Sequence, residues 1–229
     1  MKLAPAEDDT RMRLALAGKD TRKHLAAGLA AGIVALNVDV AADAQQRLLD
    51  YLALVEKWNQ AYNLTAVREP AKMLTHHLLD SLAVLPHVRG DHVLDVGSGA
   101  GLPGIPLALA RPQWHVTLLD ASHKKATFLR QAVIELRLAN VDVVCDRVET
   151  WAPSRQFDTV VSRAFSDLPQ FLASAGRLCA RTGVMIAMKG IYPHEELAQV
   201  PKEFCLQDVV PLHVPGLHAE RHAALLQPA

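Results

Sequence analysis

Leu48, Leu49, Leu52, Val55, Trp58 and Tyr62 fall at helical spacing in an otherwise polar segment that starts at Asp43, so one face of this stretch is built for burial. Asp43 is the expected N-cap, and Asn63-Leu64-Thr65 breaks the pattern. A second helix starts near Pro70, a residue suited to a first turn. It carries Met73, Leu74, Leu78, Leu82 and Leu85 to its end at Pro86 and Gly90. Residues 1–42 mix alanine with charge and show no clean stop signal; they read as an extension, part helical and part mobile.

From His92 onward, short β-rich runs alternate with helical segments. Strands are expected at His92–Val96, Val116–Leu119, Val141–Cys145, Phe157–Ser162 and Val184–Met188, and helices at Ile105–Ala110, His123–Leu138 and Leu168–Cys179. This alternation demands crossover connections, hence a parallel sheet covered on both faces. After Lys189, Phe204–Val214 and His222–Leu226 read as two strands joined at Pro215-Gly216, with no helix between them. The expected fold is α/β, a doubly wound, mostly parallel sheet with an antiparallel terminal hairpin. It divides into residues 1–42 as the extension, 43–90 as a helical cap and 91–229 as the sheet domain.

Composition narrows the classes. Of 229 residues 50% are hydrophobic, enough for a sizeable core. No apolar stretch reaches the roughly 18 residues of a membrane span, and the charged N-terminus lacks the pattern of a secretion signal. A cytoplasmic chain without membrane association is expected. Three cysteines, Cys145, Cys179 and Cys205, are too scattered for a disulfide framework or a zinc cluster and read as reduced core thiols. Lys+Arg (24) and Asp+Glu (24) balance, so charge gives no support for non-specific nucleic-acid binding, while a local basic face stays open.

The run Val93-Leu94-Asp95-Val96 leads into Gly97-Ser98-Gly99-Ala100-Gly101-Leu102-Pro103-Gly104. Glycines let a strand turn tightly and let backbone touch a ligand where a Cβ would collide. The helix beginning near Pro103 offers unpaired N–H groups and a positive dipole end. Asp120 closes the next strand about 20 residues on, where a carboxylate accepts both ribose hydroxyls of a nucleoside. Two ligand classes fit. Counted from Gly99, the residues satisfy the dinucleotide pattern G-x-G-x-x-G; counted from Asp95, they satisfy D-x-G-x-G-x-G, typical of S-adenosylmethionine sites. Three features favour the second. The strand runs directly into Gly97. Asp95 suits a methionine ammonium and would repel a pyrophosphate. The terminal hairpin also suits a methyltransferase better than a six-stranded dehydrogenase. S-adenosyl-L-methionine is the expected cofactor, with Asp95, Gly97, Gly99, Gly101 and Asp120 at its site.

Further segments accompany the turn: Lys57-Trp58-Asn59-Gln60-Ala61-Tyr62-Asn63-Leu64-Thr65, His77-Leu78-Leu79-Asp80-Ser81, Ser162-Arg163-Ala164-Phe165, Met188-Lys189-Gly190 and Glu220-Arg221-His222. With them the chain resembles, from about Asp43 to Ala223, the RsmG (GidB) family of small-subunit ribosomal RNA guanine-N7 methyltransferases. The resemblance implies a seven-stranded methyltransferase sheet under an N-terminal helical cap. It also implies methyl transfer to N7 of one guanine in small-subunit (16S) rRNA, met bare or as ribonucleoprotein. Family cofactor contacts fall at positions matching Gly97, Leu102, Val148, Glu149 and Arg163. Ser98 and Ala100 replace residues that are often Thr and Pro; both are small enough for the turn.

Guanine N7 carries an in-plane lone pair and the sulfonium is a good leaving group, so alignment matters more than a general base. The sequence agrees by omission: it has neither the Asp/Asn-Pro-Pro-Tyr run used on exocyclic amines nor a Pro-Cys nucleophile. Arg163, just past the fourth strand, is expected to orient the guanine or the cofactor carboxylate, or else to pair with a carboxylate. Lys189, after the fifth strand, is either a phosphate-neutralising group beside the reaction or a solvated lysine. Arg147, Arg221 and His222 are candidate RNA contacts, each with a structural alternative. In the cap, Asn63 either forms a turn or meets RNA, and His77 and Asp80 either line the cleft roof or pair with each other. Trp58 and Tyr62 read as core. His76 and His77 lack further ligands, so no metal is expected. A monomer is expected.

Overall fold

A computed structural model describes the backbone of residues 6–163, 165 and 167–229, and the side chains from Asp20 onward. Residues 1–5 of the extension and Ala164 of the Ser-Arg-Ala-Phe segment lie outside the described residues. The strands are β1 (His92–Val96), β2 (His115–Leu119), β3 (Val141–Val144), β4 (Phe157–Ser162), β5 (Cys179–Lys189), β6 (Phe204–Pro211) and β7 (His222–Pro228). They form one seven-stranded sheet in the order β3-β2-β1-β4-β5-β7-β6. Neighbours from β3 through β5 are parallel, and β7 runs antiparallel to both β5 and β6. The chain leaves β1 toward β2 on one side and resumes at β4 on the other. The crevice at the carboxyl ends of β1 and β4 is therefore where this topology leaves room for a ligand.

Both faces of the sheet are covered, as parallel strands require. Successive residues of one strand enter opposite cores: Val93, Val161, Val184 and Ile186 on one face, Leu94, Val160, Met185 and Ala187 on the other. Helix α7 (Leu168–Ala175) covers the second face, burying Leu168, Phe171, Leu172 and Ala175 at helical spacing. The first face carries α5 (Gly104–Ala110), α6 (His123–Glu135) and, above them, α1 (Ala6–Ala35) and α2 (Ala42–Tyr62). In α1, Leu29 and Ile33 are buried in this same core. Gly28 and Gly32 allow the close approach: an added Cβ would stand 2.9 Å from Leu74 and 2.6 Å from Leu79.

Three local readings need correction. The N-cap of α2 is Ala41, and Asp43 sits in the first turn, where its charge still meets the helix dipole. The stretch from Pro70 is helical without a gap to Leu82 but not α-helical throughout. It runs as α3 (Pro70–Met73), a π-helical turn (Leu74–Leu79) and α4 (Asp80–Leu82), with His77 and Asp80 buried. The cysteines are free, but only Cys179 is a buried thiol; Cys205 is exposed on β6. No helix among the described residues is long and apolar enough to cross a membrane.

Candidate active site

The backbone turns immediately after Val96. Gly97, Gly99 and Gly101 have φ of +70°, +59° and +88°, a region that glycine adopts without steric cost. The tight turn thus begins at Gly97, the register of S-adenosylmethionine sites and not the dinucleotide register counted from Gly99. Gly97 and Ser98 donate their N–H groups to the Leu119 carbonyl at 2.8 and 3.1 Å, and the Ser98 hydroxyl donates to the Asp95 carbonyl at 2.8 Å. From α2, the buried Tyr51 hydroxyl donates to the Ala100 carbonyl at 2.5 Å, tying that helix to the turn.

Asp120, at the end of β2, accepts the Gly99 N–H on Oδ2 and the Ser122 N–H on Oδ1, both at 2.9 Å. Lys125 of α6 stands 3.6 Å from Oδ2. Each oxygen keeps a lone pair for a further donor. Asp120 lines a cavity of about 300 Å³ together with Gly97, Val148, Glu149 and Phe165. A second cavity of about 200 Å³ shares Gly97 and Lys125 and adds Thr65, Gly99, Leu102 and Arg163. A third, of about 340 Å³, is lined by Arg163, Asp80, Lys189 and Arg221. Gly97 and Arg163 link the three into a chain of cavities along the expected crevice. Backbone open to the cavity, a carboxylate with spare acceptor capacity and the partly apolar Val148–Glu149 wall fit a nucleoside cofactor.

Several expected contacts are placed otherwise. Asp95 does not open onto these cavities. It lies on the Val93 face of β1, fully buried beneath α5, with Oδ2 accepting the Gly104 N–H at 2.9 Å and Oδ1 without a partner. Burial pushes its carboxyl up to about 7. Asp80 is buried as well, and its oxygens accept Arg163 Nη1 at 3.1 Å and Arg221 Nε at 3.0 Å. A carboxylate satisfied by two guanidiniums is no RNA contact; it aims two arginines. His77 is buried with Nε2 3.1 Å from the Thr65 hydroxyl. Burial lowers its imidazole to about 4, so it is neutral and shielded from phosphate. Asn63 is the left-handed C-cap of α2 (φ 48°), a turn former. Lys189 is not a free cation: α8 (His194–Leu197) brings Glu196 within 2.6 Å of its ammonium.

Of the other expected residues, Arg163, Arg147, Glu149 and Leu102 line these cavities. Arg163 is half-buried and also donates to the His76 carbonyl at 2.8 Å. Arg147 and Glu149 are exposed at the rim, 3.7 Å apart. Gly101 and Leu102 continue the turn, and His222 opens β7 with its ring edge-on to Tyr192. Tyr51, Asn59, Lys125, Phe165 and Glu196 were not legible as site residues. Asn59 is buried and its Oδ1 accepts the Thr65 N–H at 2.9 Å, holding that loop over the second cavity. Its signal was a polar residue on the apolar face of α2. Tyr51 and Glu196 carried no local signal.

The model of one protein family, described as GidB, rRNA small subunit methyltransferase G, matches residues 44–224. The chain belongs to the GidB family. GidB relatives named ribosomal RNA small subunit methyltransferase G include one from Nitrosospira multiformis, 55% identical over 88% of this chain and 96% of that protein. Another, from Laribacter hongkongensis, is 54% identical over 86% of this chain and 96% of its own length. Among solved structures, an S-adenosylmethionine-dependent methyltransferase from Aquifex aeolicus superposes with a TM-score of 0.56 at 18% identity, covering 78% of this chain and 98% of that one. One from Thiobacillus denitrificans, in complex with S-adenosyl-L-homocysteine, gives 0.51 at 12% identity, covering 77% and 97%. At these identities the two structures establish a shared fold.

Proposed function

We propose that this protein transfers a methyl group from S-adenosylmethionine to N7 of one guanine in small-subunit (16S) ribosomal RNA. Membership of the GidB family supports this, as do relatives named ribosomal RNA small subunit methyltransferase G, matched over 96% of their length. The observation that carries the reading is that Gly97 and Asp120, just past the ends of the adjacent strands β1 and β2, line one cavity walled by Val148 and Glu149. When bound there, S-adenosylmethionine supplies a methyl group already activated by its sulfonium.

The chain's own residues bind and align. Gly97, Gly99, Gly101 and Leu102 shape the floor, with Asp95 bracing the turn from below. Asp120 accepts ribose hydroxyls, and Val148 and Glu149 flank the adenine. Guanine N7 needs no deprotonation, so no residue is assigned as a base. Arg163 stands between the cofactor cavities and the third cavity and orients the guanine or the cofactor carboxylate. Asp80 fixes its direction, and that of Arg221, which meets RNA. Arg147 reaches RNA from the rim. Lys189 acts through Glu196, holding the loop after β5. Residues 43–90 serve as a cap over the sheet domain, and the chain works as a cytoplasmic monomer on rRNA or its ribonucleoprotein.

The test is methyl transfer from labelled S-adenosylmethionine to small-subunit rRNA lacking the modification, followed by mapping of N7-methylguanine through chain cleavage at the modified base. Absence of transfer to rRNA, to the subunit and to its assembly intermediates rejects the proposal.

A further inference from the structure

Among the described residues, a further cleft lies beside the three cavities above. It measures about 1120 Å³ and is walled by the loop between β6 and β7 on one side and by Tyr192 and His194 on the other. Its floor includes the buried side chains of Leu212 and Val214. His213, His218 and His222 join His194 along it, and its two charged residues, Arg221 and Glu220, have opposite sign. Such a lining is no phosphate channel. Flat rings over an apolar floor, with imidazole nitrogens to donate and accept, suit the unstacked bases of a single strand.

Tyr192 is held as a platform. Its ring centroid lies 4.3 Å from that of His194 and 5.6 Å from that of His222, the latter at an interplanar angle of 82°. The residue keeps 37% exposure, and its neighbour Ile191 keeps 75%. The loop carrying it is pinned across its base by the 2.6 Å Lys189–Glu196 ion pair. The cleft is also continuous with the substrate side of the site. Arg221 lines both this cleft and the cavity it shares with Arg163 and Asp80, and sheet pairing sets His222 directly opposite Lys189.

We propose that this cleft binds a nucleotide flanking the methylated guanine, with its base stacked on Tyr192. The inference rests on the RNA-methylating reading above. The RNA strand passes Arg221 on leaving the third cavity and lays the next base against the phenol ring.

Tyr192→Ala is expected to raise KM for 16S rRNA about 5- to 150-fold, the factor to which a stacked base of roughly 1–3 kcal/mol converts, with kcat held within about twofold. Tyr192→Phe and Tyr192→Trp, which keep a stacking face, retain the wild-type KM. A short RNA carrying 2-aminopurine beside the target guanine should be quenched by the wild type and by Tyr192→Phe, but not by Tyr192→Ala. Equal KM and equal quenching for wild type and Tyr192→Ala overturn the proposal. So does a KM effect seen only with assembled subunits and not with bare rRNA, which gives the cleft to a ribosomal protein. If the wild type methylates no RNA, the functional reading fails, and the quenching assay alone still judges the cleft.

Discussion

Arg163, at the end of β4, donates to Asp80 of α4 across 3.1 Å, joining residues 83 positions apart in the chain. The second oxygen of Asp80 takes Arg221 at 3.0 Å. One carboxylate thus sets the aim of two cations that face the same cavity, and it couples α4 to the ends of β4 and β7.

Removal of that carboxylate should be costly. Asp80→Ala leaves two partly desolvated guanidiniums facing each other, and the unfolding free energy is expected to fall by about 2–4 kcal/mol. A double-mutant cycle of Asp80→Ala with Arg221→Ala should give a coupling energy above roughly 1 kcal/mol. Denaturant titration of the four proteins decides it, and additive losses would count against the shared clamp.

Two of the three turn glycines should separate stability from binding. At Gly101 (φ +88°) an added Cβ meets Ile105 at 2.5 Å and Leu129 at 3.1 Å, so Gly101→Ala loses stability through collision as well as strain. At Gly99 (φ +59°) it meets only the Gly97 carbonyl oxygen at 3.8 Å, and Gly99 lines the second cavity. Gly99→Ala should therefore cost only about 1–2 kcal/mol of stability, yet weaken S-adenosylmethionine binding in calorimetry. Equal losses of stability in the two variants would contradict this.

Tyr51→Phe removes one hydroxyl and no shape. The Ala100 carbonyl loses its buried donor, and stability should drop by about 1–2 kcal/mol. Loosening of the helix-to-turn tie should also weaken cofactor binding. Thermal denaturation with and without cofactor tests both; an unchanged melting temperature rules out the tie.

Two buried groups make opposing contributions to stability against pH. His77 titrates near 4 in the fold, below its ordinary 6.5, so the unfolded chain binds more protons in that window and stability is lost as pH falls from 6.5 to 4. Asp95 titrates near 7, above its ordinary 3.8, so the folded chain binds more protons and stability is lost as pH rises from 3.8 to 7. The slopes largely cancel between pH 4 and 6.5. His77→Gln should expose a fall in stability with rising pH, and Asp95→Asn a rise. Denaturation midpoints at stepped pH values would show parallel, unshifted slopes if either group were not buried as described.

What the chain declared by itself was whatever depends on neighbours in sequence. The alternation of apolar strands with helical segments predicted the doubly wound sheet, because crossover connections leave a β-helix-β signature along the chain. The direct run of Val96 into Gly97 predicted the turn register, and Asp120 fell where a strand of that length must end. Tertiary structure decided which charges remain available. Asp95 alternates with Leu94, but both faces of this sheet are covered, so periodicity could not say that its own face lies under α5. Asp80 and His77 are buried on the packed side of their helix, and no residue pattern marked its π-helical turn. Lys189 is neutralised by Glu196 and Arg163 by Asp80, pairings that depend on how distant segments are brought together. An ion pair costs nothing to write into a sequence at any separation, and only the packed molecule determines which opposite charge is close enough, and dry enough, to matter.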